Sequence, residues 1–141
     1  MRYVPKGGDG RTEWMGERGN SLCKPENQKI KEFFKTYGLE GIKYENGIVC
    51  FEGVYVVEVK ITIFESNRYR NFRRADEACA VLWTKEGRDG LIWTSGMVSK
   101  WRKDNKHTWH ECNDCETCQL VPTIIHSFFG HAGGIAEQKA K

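Results

Sequence analysis

Hydrophobic residues recur with a helical period near the start of the chain. Four apolar positions have the i, i+3, i+4 and i+7 spacing of one helix face: Ile30, Phe33, Phe34 and Tyr37. Lys31, Glu32 and Lys35 lie between them, and Gly38 follows as a typical stop signal. The pattern therefore predicts a short amphipathic helix.

A second helical period runs through the segment SNRYRNFRRADEACAVLW, residues 66–83. Its apolar positions share one face of a helix: Phe72, Ala75, Cys79 and Leu82. Four arginines crowd the first two turns: Arg68, Arg70, Arg73 and Arg74. The segment predicts a longer helix whose N-terminal half is basic.

Between these two segments, residues 42–64 have the two-residue period of strands. Asn46-Gly47 is a hairpin turn signal, and beyond it four apolar residues alternate with polar ones: Val57, Val59, Ile61 and Ile63. We expect a hairpin with one half-buried strand. Residues 5–25 hold five glycines and two prolines without a period, so we expect residues 1–25 to form an irregular N-terminal arm. Residues 85–105 have no clear period either, and we expect them to be extended.

The C-terminal part of the chain predicts a strand, a turn, a second strand and a helix. KHTWHEC and TCQLV are β-prone and flank the polar turn at residues 113–116. Pro122 suits the first turn of a helix, and TIIHSFFGH continues as a short helix that ends at Gly130. Helices and hairpins together indicate an α+β fold, with this module at residues 106–134.

Composition limits the class of protein. The 141 residues suit one domain with its own core, and 39% hydrophobic and 29% charged residues are typical of a globular protein in water. No run approaches the roughly 20 apolar residues of a membrane helix, and Met1 is not followed by a signal-peptide pattern. The net charge of +3 only weakly favours an acidic partner.

Six cysteines raise the question of disulfides or zinc. Cys23, Cys50 and Cys79 stand singly among apolar residues, which predicts buried free thiols. The C-x2-C-x2-C run at residues 112–118 could be half of a zinc knuckle, but a structural zinc site normally has four ligands and the chain has no second CxxC. Strand alternation places Cys118 on the same face as Leu120, which predicts burial.

The C-terminal module resembles a known nuclease superfamily. The residues that carry the resemblance are Trp109-His110, Gln119-Leu120-Val121-Pro122, His126 and His131-Ala132-Gly133-Gly134. They are similar to the Trp-His-His branch of the HNH/endonuclease VII superfamily, many of whose members are C-terminal toxin domains of bacterial polymorphic toxins. GERGNS and NRYRNFRRAD also resemble parts of such domains. The resemblance implies a single nuclease domain over residues 1–141, with a ββα-metal module packed on a small antiparallel sheet with two helices.

In that superfamily the module presents one divalent ion to the scissile phosphate. Carried over residue by residue, the resemblance implies metal ligands at His110, His126 and His131 and a general base at position 111. The usual residue there is histidine, whose unperturbed pKa is near neutrality, whereas this chain has Glu111. Two assignments stay open: Glu111 is the base, or His110 is the base and the metal depends on His126 and His131. His107 lies outside the pattern and is interpreted as a surface residue.

Three imidazole ligands favour a transition metal. Imidazole suits Zn, Ni, Co or Mn, while Mg prefers oxygen ligands, so Mg gains weight only if Glu111 or Asp114 also ligates. Phosphodiester cleavage needs a base that activates water and a cation that stabilises the charge growing on the phosphate. We therefore expect one divalent ion among Zn, Ni, Mn and Mg, with a transition metal favoured.

Basic and polar residues outside the module are candidates for nucleic-acid binding. The arginines at 68, 70, 73 and 74 could follow a phosphate backbone or form only a solvated helix face. Arg18 and Asn20 stand on a glycine-rich loop that could position a phosphate or be a plain loop. The sequence alone leaves both pairs of interpretations open.

The leading hypothesis is a metal-dependent endonuclease, a DNase toxin domain of a secreted bacterial effector. The alternatives are an RNase toxin of the same superfamily and a zinc-stabilised nucleic-acid-binding module without catalysis, in which the cysteines carry the metal. The resemblance also implies a cognate immunity protein, a monomeric domain, and action in the cytoplasm of a target cell. The expected substrate is DNA, with RNA as the alternative.

Overall fold

A computed structural model, which describes residues 3–140, has a mixed α+β architecture with small antiparallel sheets and five α-helices. The predicted α+β class is confirmed. The elements in chain order are β1 (Thr12–Trp14), β2 (Leu22–Pro25), α1 (Gln28–Lys35), β3 (Ile42–Glu45), β4 (Ile48–Cys50), β5 (Val57–Lys60), α2 (Arg68–Lys85), α3 (Ser95–Asp104), β6 (His107–Glu111), β7 (Thr117–Pro122), α4 (Thr123–Phe128) and α5 (Gly134–Ala140).

The described chain forms two compact units. The first holds the residues up to Val54 together with Ile124–Ala132, and the second holds Tyr55–Thr123 and the residues from Gly133 onwards. The single nuclease domain over residues 1–141 stays a prediction. None of the helices in residues 3–140 has the length and apolar character required to cross a membrane.

The first unit contains an antiparallel sheet in the order β1-β2-β3-β4. The predicted hairpin turn is confirmed, because Asn46 and Gly47, both with positive φ, connect β3 to β4. The half-buried strand expected in this hairpin is instead β5, which pairs with β7 in the sheet of the second unit. The predicted first helix is α1, whose N-cap Asn27 accepts a hydrogen bond from the backbone N–H of Ile30 at 3.2 Å. On its inward face Ile30 and Phe34 are buried, and the Phe34 ring packs edge-on against Phe129 at 5.7 Å.

The predicted irregular N-terminal arm is wrong in part, because β1 and β2 lie within it. Thr12 pairs with Pro25 and Trp14 with Cys23 in an antiparallel register. Trp14 supplies the anchor: its ring packs edge-on against Tyr44 at 5.0 Å, and its Nε1 donates to the Pro5 carbonyl at 3.0 Å. Packing of one aromatic side chain thus outweighs the glycine content. Residues 1 and 2 of the predicted arm lie outside the described residues.

The second unit contains an antiparallel sheet in the order β5-β7-β6, with α2 and α3 packed on it. The predicted strand around Val57 and Val59 is β5, although Ile63 lies beyond its end and is 58% exposed. The predicted second helix is α2, with Ala75 and Cys79 buried as expected. The core is rich in tryptophan, with Trp83, Trp93 and Trp109 all buried.

The predicted extended structure of residues 85–105 is wrong for Ser95–Asp104, which form helix α3. Thr94 caps the helix by accepting a hydrogen bond from the backbone N–H of Met97 at 3.2 Å. Val98 is fully buried, and Trp101 packs edge-on against Trp83 at 5.3 Å. Burial against α2 therefore decides the structure of a segment whose own residues favour no single state.

The predicted C-terminal hairpin is confirmed as β6 and β7, joined by the polar turn. Asp114 organises the turn: one carboxylate oxygen accepts hydrogen bonds from the backbone N–H groups of Glu116 and Thr117, and the other accepts from the Thr117 hydroxyl. Partial burial alone would raise the pKa of Asp114, but these hydrogen bonds outweigh it and lower that pKa. Pro122 ends β7 instead of starting the helix, and α4 begins at Thr123.

Candidate metal centre

His126 and His131 form the first part of the candidate site. His126 lies on α4, and His131 follows in the loop after it; their Nε2 atoms are 3.1 Å apart. The ring of Phe51 packs against both, with centroid distances of 5.8 and 5.7 Å. Phe129, which lies between the two histidines in sequence, is fully buried and packs edge-on against Phe34 at 5.7 Å, so the backbone before His131 is anchored in the core of the first unit.

The tautomer of His131 is set by the backbone. Its Nδ1 lies 2.7 Å from the Phe129 carbonyl oxygen, which can only accept, so Nδ1 carries the hydrogen. The Nε2 of the neutral ring is therefore a lone-pair donor that faces His126. A backbone carbonyl in this role is the usual way in which proteins orient a metal-binding histidine. This local geometry fits a metal ligand.

His110 lies on β6 and is 2% exposed. The pair Gly133-Gly134 passes close to the strand: a Cβ at Gly133 would lie 2.8 Å from the Glu111 carbonyl oxygen, and one at Gly134 would lie 2.4 Å from the Cys112 carbonyl oxygen. The two glycines of the sequence motif are therefore explained by close backbone approach, since any side chain there would clash.

The ligand-capable atoms of His110, His126 and His131 all lie within 4.8 Å of one another, so these three residues could hold a metal ion. Within residues 3–140, these histidines are the group of His, Cys, Asp or Glu side chains whose ligand atoms lie this close together. The three cysteines of the C-x2-C-x2-C run do not form a second such group. Cys118 is fully buried, and burial raises the pKa of its thiol, which disfavours the thiolate that zinc requires. The histidines, not the cysteines, are therefore the candidate metal ligands.

Glu111 occupies a different environment from His110. Successive side chains of a strand point to opposite faces, and Trp109 and Glu111 both bond to residues of α2. The Glu111 carboxylate is 5% exposed, and both of its oxygens accept hydrogen bonds: Oε1 from Arg68 Nε at 3.1 Å and Oε2 from Asn71 Nδ2 at 2.9 Å. Glu111 is thus held by α2, on the face of the strand opposite to His110.

Asn71 is a residue that the sequence interpretation missed. It is fully buried; its Oδ1 accepts from the Glu65 backbone N–H at 2.9 Å, and its Nδ2 donates to the Glu65 carbonyl at 2.7 Å as well as to Glu111. A signal was present, because Asn71 is four residues before Ala75 and therefore falls on the inward face of α2. A buried amide of this kind needs partners, and Glu111 is one of them.

The four arginines of α2 have different partners. Arg70 and Arg74 both bind the Glu65 carboxylate. Their hydrogen bonds lower the pKa of Glu65, and the bond from Arg74 has the larger effect. Arg73 forms an exposed i, i+4 pair with Glu77. Arg68 alone of the four reaches β6, through Glu111. Nucleic-acid binding by these arginines stays a prediction.

Arg18 and Asn20 hold neighbouring loops together. Arg18 donates to the backbone carbonyls of Pro5 at 3.0 Å and Val4 at 3.3 Å. The Oδ1 of Asn20 accepts from the Asn46 backbone N–H at 3.2 Å. Both side chains therefore have structural partners, and their predicted contact with nucleic acid stays a prediction.

The α+β fold and the three-histidine group together define the general class of the protein, which is a candidate metal-binding domain. The family described as the DNase/tRNase domain of colicin-like bacteriocins matches residues 41–133. The match spans well over half of the chain and includes the three histidines, Glu111 and the arginines of α2, so the chain belongs to this family. Membership supports a nuclease toxin domain. No curated protein and no solved structure matches the chain.

Proposed function

We propose that this domain is a metal-dependent endonuclease of the HNH superfamily that cleaves DNA. The observation that carries the proposal is the convergence of His110, His126 and His131 to within 4.8 Å. The family supports nuclease action, and its description names both DNase and tRNase domains. The orientation of His131 by the Phe129 carbonyl supports a metal ligand over an incidental histidine.

In this proposal the three histidines would hold one divalent ion, and the imidazole ligands favour Zn, Ni or Mn over Mg. When bound, such an ion supplies a Lewis acid for the oxygens of the scissile phosphate. His110 is essential in both assignments of the base, as a ligand or as the group that takes a proton from water. Its face of β6 is the one that carries the candidate site, whereas Glu111 points towards α2. This supports His110 over Glu111 as the proton acceptor.

The experiment is plasmid nicking by the purified chain with added Ni, Zn, Mn or Mg, run beside cleavage of tRNA. We expect nicking by the wild type and a loss of at least 100-fold in His110→Ala and His126→Ala, because general base catalysis and metal assistance each contribute at least that much. The matched control is His107→Ala: the fourth histidine of the chain lies on the same strand, where its Nδ1 lies 2.7 Å from the Asn105 carbonyl oxygen.

Several outcomes discriminate between the hypotheses. Faster cleavage of tRNA than of plasmid would favour the RNase alternative. No cleavage of either substrate with any of the four metals, or full activity in His126→Ala, would refute the proposal. Calorimetry with Ni²⁺ then separates the two roles of His110: His110→Ala loses the ion if the residue is a ligand, and retains the ion while losing activity if it is the base.

As a toxin domain of this family, the protein would act in a target cell, and a cognate immunity protein would protect the producing cell. Colicin-like nuclease toxins usually have such a partner, which supports this part of the proposal. Immunity proteins of basic nucleases tend to be acidic, since complementary charge speeds association. Co-expression with the neighbouring gene product, followed by loss of nicking, is the direct test.

A further inference from the structure

Arg68 differs from the other arginines of α2 in how much of its guanidinium is available. Arg70 and Arg74 direct theirs at Glu65, and Arg74 also donates to the Ile63 carbonyl. Arg68 uses only its Nε, which donates to Glu111 at 3.1 Å. Within residues 3–140 neither of its Nη atoms makes a hydrogen bond or ion pair, and its side chain is 67% exposed. Four N–H donors are therefore presented to solvent.

The anchor of Arg68 is unusually rigid for an exposed ion pair. An ordinary surface pair joins two mobile side chains and contributes little. Here the carboxylate partner is 5% exposed and is fixed on its other oxygen by Asn71, which is itself fully buried and tied to the backbone of Glu65 by two hydrogen bonds. Two hydrogen bonds thus connect the buried Asn71, through Glu111, to the exposed guanidinium of Arg68 and orient it.

We propose that Asn71 and Glu111 are positioning residues that present Arg68 to a backbone phosphate of the nucleic-acid substrate. The inference rests on the proposed function and deepens it. A guanidinium that is held by one N–H keeps its forked pair of Nη donors, which matches the geometry of a phosphate oxygen pair. Because Glu111 lies on the face of β6 opposite to His110, the phosphate that Arg68 binds is not the scissile one, and the main effect of Arg68 is on binding.

This arrangement also gives Glu111 a role without proton transfer. Its negative charge sits under the guanidinium and holds it in place. The other three arginines hold Glu65 and Glu77.

The test measures binding of a fluorescein-labelled DNA duplex by anisotropy, with the full chain in EDTA so that no strand is cut. The affinity is followed from about 50 to 200 mM salt, because each phosphate contact contributes about 0.9 to the slope of log K against log salt. We expect Arg68→Ala to weaken binding roughly tenfold and to reduce the slope by about one. Lys100→Ala removes a cation of α3 that is 77% exposed, against 67% for Arg68, and is the matched control, with an unchanged slope.

Glu111→Gln and Asn71→Asp test the positioning role. Glu111→Gln removes the charge that holds Arg68 and retains an oxygen for Asn71; Asn71→Asp replaces the donor with a second carboxylate beside Glu111. Each is expected to weaken binding several-fold with a reduced slope, and neither should weaken it further in the Arg68→Ala background, because the residues act through one another. Should Asn71→Asp fail to fold by circular dichroism, Glu111→Gln decides the same point.

Three results would overturn the inference. The first is an Arg68→Ala slope equal to that of the wild type. The second is an additive effect of Glu111→Gln and Arg68→Ala. The third is a Glu111→Gln variant with unchanged binding and slope that loses nicking by 100-fold or more, which would make Glu111 the base. Since binding is measured without metal, a chain that fails to cut any substrate refutes the proposed function and leaves this measurement valid.

Discussion

Asp76 holds α2, α3 and β6 together, and its removal should be among the most destabilising single changes in the second unit. Its carboxylate is 6% exposed and accepts three hydrogen bonds: from Arg102 Nε at 2.9 Å, from Arg102 Nη2 at 3.1 Å and from Trp109 Nε1 at 2.8 Å. The Arg102 side chain is 14% exposed and Trp109 is 1% exposed. Asp76→Ala would therefore leave a buried guanidinium and a buried indole N–H without their acceptor.

The expected loss in free energy of unfolding depends on which group is left without a partner. Removing one partner of a buried ion pair costs about 3–5 kcal/mol, because the remaining charge is uncompensated. The same helix offers a matched exposed pair: Arg73 and Glu77 are 71% and 57% exposed and 3.8 Å apart. Glu77→Ala should cost about 0.5 kcal/mol or less. A typical domain has only about 5–15 kcal/mol of stability, so the two variants should differ clearly.

Urea unfolding monitored by tryptophan fluorescence is the assay, since four of the five tryptophans lie in the second unit: Trp83, Trp93, Trp101 and Trp109. The double variant Asp76→Ala/Arg102→Met should recover more than 1 kcal/mol relative to Asp76→Ala, because it also removes the unpaired charge. An Asp76→Ala cost below about 1 kcal/mol, or no recovery in the double variant, would refute the reasoning.

Three further predictions concern the turn, the thiols and the motif glycines. Asp114→Asn should lower the free energy of unfolding by about 1 kcal/mol at pH 7. Since the folded-state pKa of Asp114 is lowered, the wild type should keep this whole advantage above pH ~4 and lose it as the pH falls through that pKa. Unfolding curves of both proteins from pH 7 to 2 would detect the change. Burial raises the pKa of the Cys79 thiol to about 12 and that of Cys23 to about 11, so mass spectrometry should find both unalkylated by iodoacetamide at pH 8 in the folded protein, while half-buried Cys50 reacts; early labelling of Cys79 would contradict the burial. Gly134→Ala should cost about 1–3 kcal/mol through its clash with the Cys112 carbonyl, and an unchanged melting temperature would show that the backbone can move away.

Periodic segments were predictable from sequence because their packing agrees with their own propensity. Helix α1 and the hairpin of β3 and β4 follow from the spacing of apolar residues and from Asn46-Gly47. The hairpin of β6 and β7 follows from β-prone residues around a polar turn. In each case the local signal and the final contacts point to the same structure.

The remaining elements depend on partners that are distant in the chain. Helix α3 forms because Val98 and Trp101 pack on α2, and the strand pair β1–β2 forms where Trp14 reaches Tyr44. No periodicity within either segment contains that information. Of the candidate site, the residue types and order were predictable, but the partner of Glu111 was not, because Asn71 is 40 residues away from it.

The carboxylate at position 111 is better understood as one member of a matched set than as a weak substitute for histidine. Two donors converge on that position, the Nδ2 of Asn71 and the Nε of Arg68, and each binds a different oxygen of Glu111. A neutral histidine there would offer a single acceptor nitrogen. It would leave either the buried Asn71 amide or the Arg68 guanidinium unpaired, and the unpaired buried amide alone would cost about 1–3 kcal/mol. A chain with histidine at this position should therefore also lack the asparagine and arginine at the corresponding positions of α2, so that the three residues change together. Glu111→His in this protein should accordingly destabilise the second unit instead of restoring a better base, and a gain of nicking activity without loss of stability would contradict that conclusion.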